Sequence, residues 1–323
     1  YGKHDHAPLV ETDDCVYGPS EKSRWSYAAA QLMEQLDAMT FLNHPYHQPL
    51  IGWGEDMATL TADDARAFFA KNYRASNMIL VVAGDVSARD VRRHAQHYYG
   101  GMAGGDAEAR AWPKEPPVRM ARHGEMEDAK AHEPRLVRQY VAPSVREGDA
   151  SQTLPLAVFA HYVGGGTTSL LYDRLVREQK VATSVSADYD ALVLGPSLLR
   201  IEATPAEGVS LPELEKALDR VLEESVATVP AEDGIRRAKT QLKAEVVFAQ
   251  DGLEPLAHLM ARLYALGLDE QYFYDWAPQV EHVLATDVQA AARGVVDAKK
   301  KVTGYLLPAP PAAPAPMEGP YAQ

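Results

Sequence analysis

The 323-residue sequence contains one cysteine, Cys15. A single cysteine excludes an intramolecular disulfide and any zinc site built from several cysteines. Basic residues are also scarce: 32 Lys and Arg stand against 45 Asp and Glu, giving a formal net charge of −13. The chain therefore lacks the basic surface expected of a nucleic-acid-binding protein. No apolar run approaches the roughly 20 residues of a membrane-spanning helix, so neither nucleic acid nor a membrane span is expected.

The histidines exclude one common zinc site. Two histidines at i and i+4 on a helix, with a glutamate beside one of them, bind zinc and activate water, yet none of the eleven histidines has another at i+4. His4 and His6 flank Asp5, but so short a cluster cannot close a metal site and is expected to be solvated. We expect His94 to be a half-buried structural histidine, and His44 and His47 to be packing or loop residues in a turn. The sequence predicts neither a metal site nor a catalytic residue in this chain.

The composition of the chain and the distribution of its glycines and prolines suggest two domains. The chain is 46% hydrophobic and 24% charged, as in ordinary globular proteins. Glycines and prolines concentrate between the two halves, and a Pro/Ala-rich tail ends the chain. The predicted organisation is an aberrant N-terminal segment (1–27), a first domain (28–105), a linker (106–118), a second domain (119–308) and a tail (309–323).

Local patterns predict the elements of the first domain. Thr61 followed by Asp64 is typical of a capped helix start, and Ser87 with Asp90 predicts a second helix. Between them, the apolar run Met78–Ala83 favours a buried strand. In the second domain we predict strands near 118–126, 134–142, 182–192, 197–204 and 302–307. The predicted helices lie near 154–162, 168–179, 211–226, 231–249, 253–266 and 271–284, with a last one capped by Thr286.

An internal repeat relates the two halves. The sequence QLMEQLDAM at 31–39 resembles HLMARLYAL at 258–266, and Leu32 lies 227 residues before Leu259. The helix at Thr61 and the strand at Met78 recur after 225 and 224 residues. A constant long offset is the signature of duplicated units. If the second copy starts near residue 119, about a hundred residues of the first copy are missing. Apolar side chains in residues 28–105 should then lie exposed.

Several motifs carry a family resemblance. These motifs are FLNHPY (41–46), LTADD (60–64), VVAGD (81–85), GTTSLL (166–171) and LVREQ (175–179). In these sequences the chain resembles the insulinase/pitrilysin family of zinc peptidases, in the bacterial branch related to mitochondrial processing peptidase.

This resemblance implies an α+β fold of duplicated α/β-sandwich domains arranged as a clamshell, here with the first copy incomplete. In the family, zinc is bound by a helix bearing histidine-x-x-glutamate-histidine, which this chain lacks. The family's distal glutamate would fall near Gly18 and Pro19, with Glu21 as a nearby counterpart. Zinc is thus the cofactor of the complete family and not of this chain.

The resemblance also implies a substrate-handling role for Gly164, Gly165, Gly166 and Arg177, acting on a peptide or unfolded protein; a simple flexible helix start is the alternative for the glycines. The family's arginine–tyrosine pair is not intact, because Thr183 stands at the tyrosine position and either Val176 or Arg177 stands at the arginine position. The first hypothesis is that the protein belongs to a zinc metallopeptidase lineage and that this chain is inactive by itself. The alternatives are a non-catalytic subunit paired with a zinc-bearing homologue, or a scaffold that has lost the peptide site. Either periplasm or cytoplasm is compatible, with the periplasm favoured by the resemblance.

Overall fold

The computed structural model describes residues 27–102, 104–105, 112–248 and 252–309. The features predicted at Cys15, His4, His6 and Glu21, together with most of the Pro/Ala-rich tail, lie outside these residues. Within them, the helices are α1 (Tyr27–Thr40), α2 (Gly54–Thr59), α3 (Ala62–Asn72), α4 (Ala88–Tyr99), α5 (Thr153–Gly164), α6 (Leu211–Ala227), α7 (Glu232–Phe248), α8 (Leu253–Ala265), α9 (Glu270–His282) and α10 (Ala285–Val295). None of the helices in this part of the chain has the length and apolarity of a membrane span.

Five strands form one mixed sheet in the order β1-β5-β2-β4-β3. β1 pairs with β5 in parallel, whereas the other neighbours are antiparallel. The sheet and its helices give the predicted α+β class, which is confirmed, and all five strands predicted for the second domain are present. They are β1 (Arg122–Asp128), β2 (Arg135–Ala142), β3 (Ala182–Tyr189), β4 (Ser197–Pro205) and β5 (Val302–Pro308).

The larger core lies between one face of the sheet and α5, α6 and α10. Helix α6 begins with a capping box, in which Ser210 and Glu213 bond each other's backbone N–H groups. Its Leu214, Leu218 and Val221 recur at helical spacing and are almost fully buried. Burying such side chains contributes about 1.5–3 kcal/mol each, so this apolar stripe holds α6 against the sheet.

Helix α1 covers the opposite face of the sheet. Its Leu32 and Leu36 form a second buried cluster with Val137, Val302 and Leu306. The close approach requires Gly304, since a Cβ there would lie 2.8 Å from Leu36 Cδ2 and 3.0 Å from Leu32 Cδ1. A helix from the predicted first domain therefore packs on the sheet of the predicted second domain.

The predicted strand Met78–Ala83 is wrong for this structure. This segment has no strand assignment, and Ile79, Leu80 and Val82 are about half exposed. A strand needs a neighbour for its backbone hydrogen bonds, and the described residues offer it none. None of residues 45–102 is buried. The predicted exposure of apolar side chains in the first domain is thus confirmed for these residues, but α1 is an exception.

Two further local predictions need correction. Thr286 does not cap α10, because the helix begins at Ala285, and the Asp287 carboxylate accepts from Leu284 N–H at 2.9 Å. The helix predicted at 168–179 contains a π-helical segment, Tyr172–Glu178. This segment begins six residues after Gly166, and π-helical turns occur frequently at functional sites.

Candidate substrate-handling site

The glycine triplet forms the end of α5 and the turn that follows it. A Cβ on Gly164 would lie 2.1 Å from Ala187 N, so only glycine lets α5 pack this closely on β3. A Cβ on Gly165 would lie 2.6 Å from the His161 carbonyl oxygen. Gly166 has a φ of +99° and open space where its Cβ would be, a conformation that favours glycine. The first two glycines are therefore required by packing, while Gly166 is required only by the turn.

A small, partly open cavity lies beside this turn. It has a volume of about 150 Å³ and is bordered by α5, α7 and the start of the π-helical segment. Gln241 Nε2 donates to Thr168 Oγ1 at 3.2 Å across it. Lining groups include both hydrogen-bond donors and acceptors, which suits the amides of a peptide. They come from His161, Tyr162, Thr168, Asp173, Asp233, Arg237 and Gln241.

Two buried polar atoms near the triplet have no hydrogen-bond partner among the residues that the structure describes. These are His161 Nδ1 and Ser169 Oγ. The other ring nitrogen of His161, Nε2, lies 3.4 Å from Glu245 Oε2. Buried polar atoms without partners are uncommon in native proteins, and here both belong to the segment that carries the glycines.

Arg177 does not line the cavity. Its guanidinium pairs with Asp173 at 2.7 Å and lies 5.4 Å from the centre of the Tyr172 ring. Asp173 is itself a lining residue, so Arg177 is linked to the cavity through this carboxylate. Thr183 is exposed, and its Oγ1 donates to the Thr204 carbonyl oxygen at 3.4 Å. The substrate-handling roles of Arg177 and the glycines stay predictions.

The described residues contain no group of three or more histidine, cysteine, aspartate or glutamate side chains that could hold a metal ion. The prediction for His94 is wrong: its side chain is exposed, because none of the described elements covers that face of α4, and its ring stacks 6.3 Å from Tyr98. His44 packs in its turn as predicted, 1% exposed, 4.9 Å from the Trp112 ring centre. Burial lowers the pKa of His44.

The cavity's α7 wall was not predicted from the sequence. The sequence feature that could have indicated this wall is Gly234, which lies near the start of a helix, where glycine is otherwise unfavourable. A Cβ on Gly234 would lie 2.7 Å from Tyr162 Cε2. Glycine therefore allows α7 to contact α5 closely enough to border the cavity, and only the tertiary contact reveals it.

A buried charge network, also missed from the sequence, fixes α6 on the sheet. Arg138 is fully buried and donates to Glu215 and Asp219, each at 2.6 Å. Lys301 pairs with both carboxylates, and Tyr305 donates to Glu215. Burial by itself would raise the pKa of Glu215, but the Tyr305 hydroxyl and the two cations outweigh it and hold the pKa below its ordinary value. These contacts link Arg138 of β2 and Tyr305 of β5 to the acidic side chains of α6.

Comparison with known proteins decides the family. Residues 59–242, more than half of the chain, match the family model described as "Peptidase M16 inactive domain". The chain belongs to this family. The predicted resemblance to insulinase-type metallopeptidases is thereby confirmed.

Curated relatives are zinc proteases and processing-peptidase subunits. The "Zinc protease PqqE" of Helicobacter pylori is 23% identical over 270 residues, covering 83% of this chain and 60% of the relative. The "Mitochondrial-processing peptidase subunit beta" of Blastocladiella emersonii is 23% identical over 244 residues, covering 72% and 50%. The chain thus spans only about half to three fifths of these M16 relatives.

A solved structure supports the fold. The crystal structure of a protease from Helicobacter pylori superposes with a TM-score of 0.73 at 21% identity, covering 83% of this chain and 64% of that one. At this identity the likeness establishes the fold and leaves the site residues untested.

Proposed function

We propose that this chain serves the hydrolysis of peptides or unfolded proteins by an M16 zinc peptidase, as the zinc-free half of its substrate chamber. The observation that carries the proposal is the match of residues 59–242 to the M16 inactive domain. The absence of a histidine pair at i, i+4 from the whole sequence supports it, since such a pair holds the catalytic zinc of this peptidase type. Zinc and the general base would then come from residues outside this sequence.

The glycine turn and the adjoining cavity are the proposed contact with substrate. Gly166 presents its backbone with no side chain in the way, and the cavity wall offers an amide, a hydroxyl and a guanidinium. A peptide chain can hydrogen-bond to such groups independently of its sequence. Arg177 acts here by holding Asp173, which lines the same cavity.

Metal analysis and peptide hydrolysis test this proposal. The purified chain should contain no stoichiometric zinc and should not cleave a quenched fluorescent peptide. Adding the part of Helicobacter pylori PqqE that lies outside its match to this chain should give hydrolysis that a chelator abolishes. Stoichiometric zinc and chelator-sensitive hydrolysis in the chain alone would contradict the proposal.

A separate zinc-bearing subunit is the second candidate for the source of the metal. It is favoured by the relatives named as processing-peptidase subunits, because such a name implies an assembly. Co-purification with a zinc-bearing M16 homologue from the same organism tests it, and a chain that stays monomeric beside that homologue excludes it. The periplasm is the proposed compartment, on the family resemblance alone.

A further inference from the structure

Strand β1 ends the sheet on one side, and none of the described strands pairs with its outer edge. Its inner edge bonds β5. Arg122 N–H donates to the Lys301 carbonyl oxygen at 2.9 Å, and at the other end the Asp128 carbonyl oxygen accepts from an N–H of the residue at 309 at 3.0 Å. The direction of the backbone groups alternates along a strand, so those at 122, 124, 126 and 128 point inward. The backbone groups that point outward are those of His123, Glu125 and Glu127.

The side chains of the outward residues share one accessible face of β1. Side chains alternate between the faces of a strand, and the exposed positions of β1 are 123, 125 and 127. The side chains of His123 and Glu125 are 44% and 57% exposed. On the opposite face, Arg122 donates to the Thr40 carbonyl oxygen at 3.0 Å, at the end of α1. β1 is thus fixed to the rest of the fold while its outer edge stays open.

The sequence of β1, RHGEMED, is complementary in charge to itself when two copies run antiparallel. Directly opposite side chains lie on the same face, so a two-fold axis pairs residues whose numbers have an even sum. Centred on Glu125, this pairing places Arg122 opposite Asp128 of the second copy. It also places His123 opposite Glu127, and each of these pairs occurs twice. Opposite charges that face each other across strands are stabilising, whereas like charges are destabilising.

The neighbouring registers are poorer. Centring on Met126 would place Glu125 opposite Glu127 twice. Centring on Gly124 would place Glu127 opposite Ala121, which lies outside the strand. Of these three registers, the one centred on Glu125 joins all three outward residues, in pairs that each exchange two hydrogen bonds.

We infer that a second copy of this chain binds at the outer edge of β1, antiparallel and in the register centred on Glu125, so that the two sheets become one. Main-chain pairing at an open strand edge gives affinity, and alternate side chains set the register. The two Glu125 carboxylates face each other at the centre, and two short strands bury less surface than a permanent dimer does. The association is therefore reversible. It requires no residue of the zinc-bearing half in the proposed function.

Sedimentation velocity of the full chain across the micromolar range tests the inference. The chain should show a monomer–dimer equilibrium that depends on its concentration. Glu125→Gln removes the facing like charges and should strengthen dimerisation by about threefold. Glu207→Gln is the control, because this exposed residue lies in the turn after β4 and its loss of charge is the same; it should leave the equilibrium unchanged.

A proline variant tests the main-chain pairing. Glu125→Pro removes an N–H that points to the second copy and none that bonds β5, as proline on an edge strand can. It should weaken dimerisation by at least about tenfold, with an unchanged far-ultraviolet circular dichroism spectrum. A dimer that this variant leaves intact would overturn the inference, because another surface would then join the copies.

Cysteine crosslinking tests the register independently of that variant. In a Cys15→Ser background, Glu125→Cys places two thiols on directly opposite residues, whose Cα atoms are about 5.5 Å apart, within the range of a disulfide. Glu127→Cys is the matched control, because the two copies of residue 127 would be about 14 Å apart. Oxidation should therefore crosslink the first variant and not the second.

Three results would overturn the inference. They are a chain that stays monomeric at every concentration, a disulfide at residue 127 without one at residue 125, and β1 amides that gain protection from exchange only when the unmatched part of PqqE is added. The last result would assign this edge to the zinc-bearing half and leave the proposed function standing. A peptidase test that fails while the dimer and its crosslink are observed would remove the proposed function alone.

Discussion

Leu36 of α1 lies directly over Gly304 of β5, with its Cδ2 atom 2.8 Å from the place where a Cβ would stand. The contact joins residues 268 positions apart in the chain and sets the distance between α1 and the sheet. Because Leu32 also lies within 3.0 Å of that place, an added methyl group has no direction in which to move.

Gly304→Ala should therefore destabilise the protein by about 1–3 kcal/mol, the usual cost of overpacking a core. Urea denaturation measures it as a lower midpoint with an unchanged slope. Gly294→Ala is the control, because Gly294 lies within α10 with nothing within 4 Å of its Cβ position. That variant should be neutral or up to about 1 kcal/mol more stable. Equal midpoints for the two variants would show that α1 does not pack as described.

Alanine substitutions in the glycine triplet should distinguish two effects on stability: the loss of close packing and the strain of a positive φ. Gly164→Ala places a methyl group 2.1 Å from the backbone of Ala187, so α5 must move away from β3. We expect a loss of at least about 2–3 kcal/mol. Gly166→Ala meets only the strain of a positive φ, about 1 kcal/mol, and should leave the fold intact. Thermal denaturation of both variants checks the order, and a Gly166→Ala variant less stable than Gly164→Ala would contradict it.

Sequence reasoning predicted the elements of the second domain better than their contacts. The five strands and α6–α9 follow from apolar periodicity and caps, which are local signals. The packing of α1 on β5 could not be predicted, because helical periodicity identifies an apolar face but does not indicate which element that face contacts. Met78–Ala83 has the composition of a buried strand, but strand formation depends on neighbours that local sequence does not contain. The cavity depends on the contact of Gly234 with Tyr162, and these two residues lie far apart in the sequence although their helices pack together.

The Arg138 network should make stability depend on pH through Glu215. Its pKa in the folded protein lies below the ordinary value of 4.5, so its contribution is fully present above pH 4.5 and is lost as the pH falls through the lower folded value. Glu215→Gln should cost about 1–3 kcal/mol at pH 7. The difference from wild type should shrink as the pH falls below 4.5.

Urea denaturation from pH 7 down to pH 3 measures this difference directly. Glu223→Gln is the control, because Glu223 is an exposed residue on the same helix. Its difference from wild type should stay near zero across the range. A Glu215→Gln difference that does not change with pH would show that this carboxylate is not ionised in the network.

Within the first 100 residues, the backbone amides of α1 should be better protected from hydrogen exchange than those of α3 and α4. Leu32 and Leu36 of α1 are 3% and 1% exposed on the sheet, so α1 can open only when that cluster opens. Helices α3 and α4 bury no residue at all, and helices of 11 or 12 residues are marginal in water without packing. In the isolated chain, peptides covering α3 and α4 should reach full exchange well before those covering α1 and β5.

Proteolysis under native conditions should cut first between residues 48 and 102 and leave α1 attached. Equal protection of α1, α3 and α4 in a monomer would mean that the N-terminal half closes a core of its own.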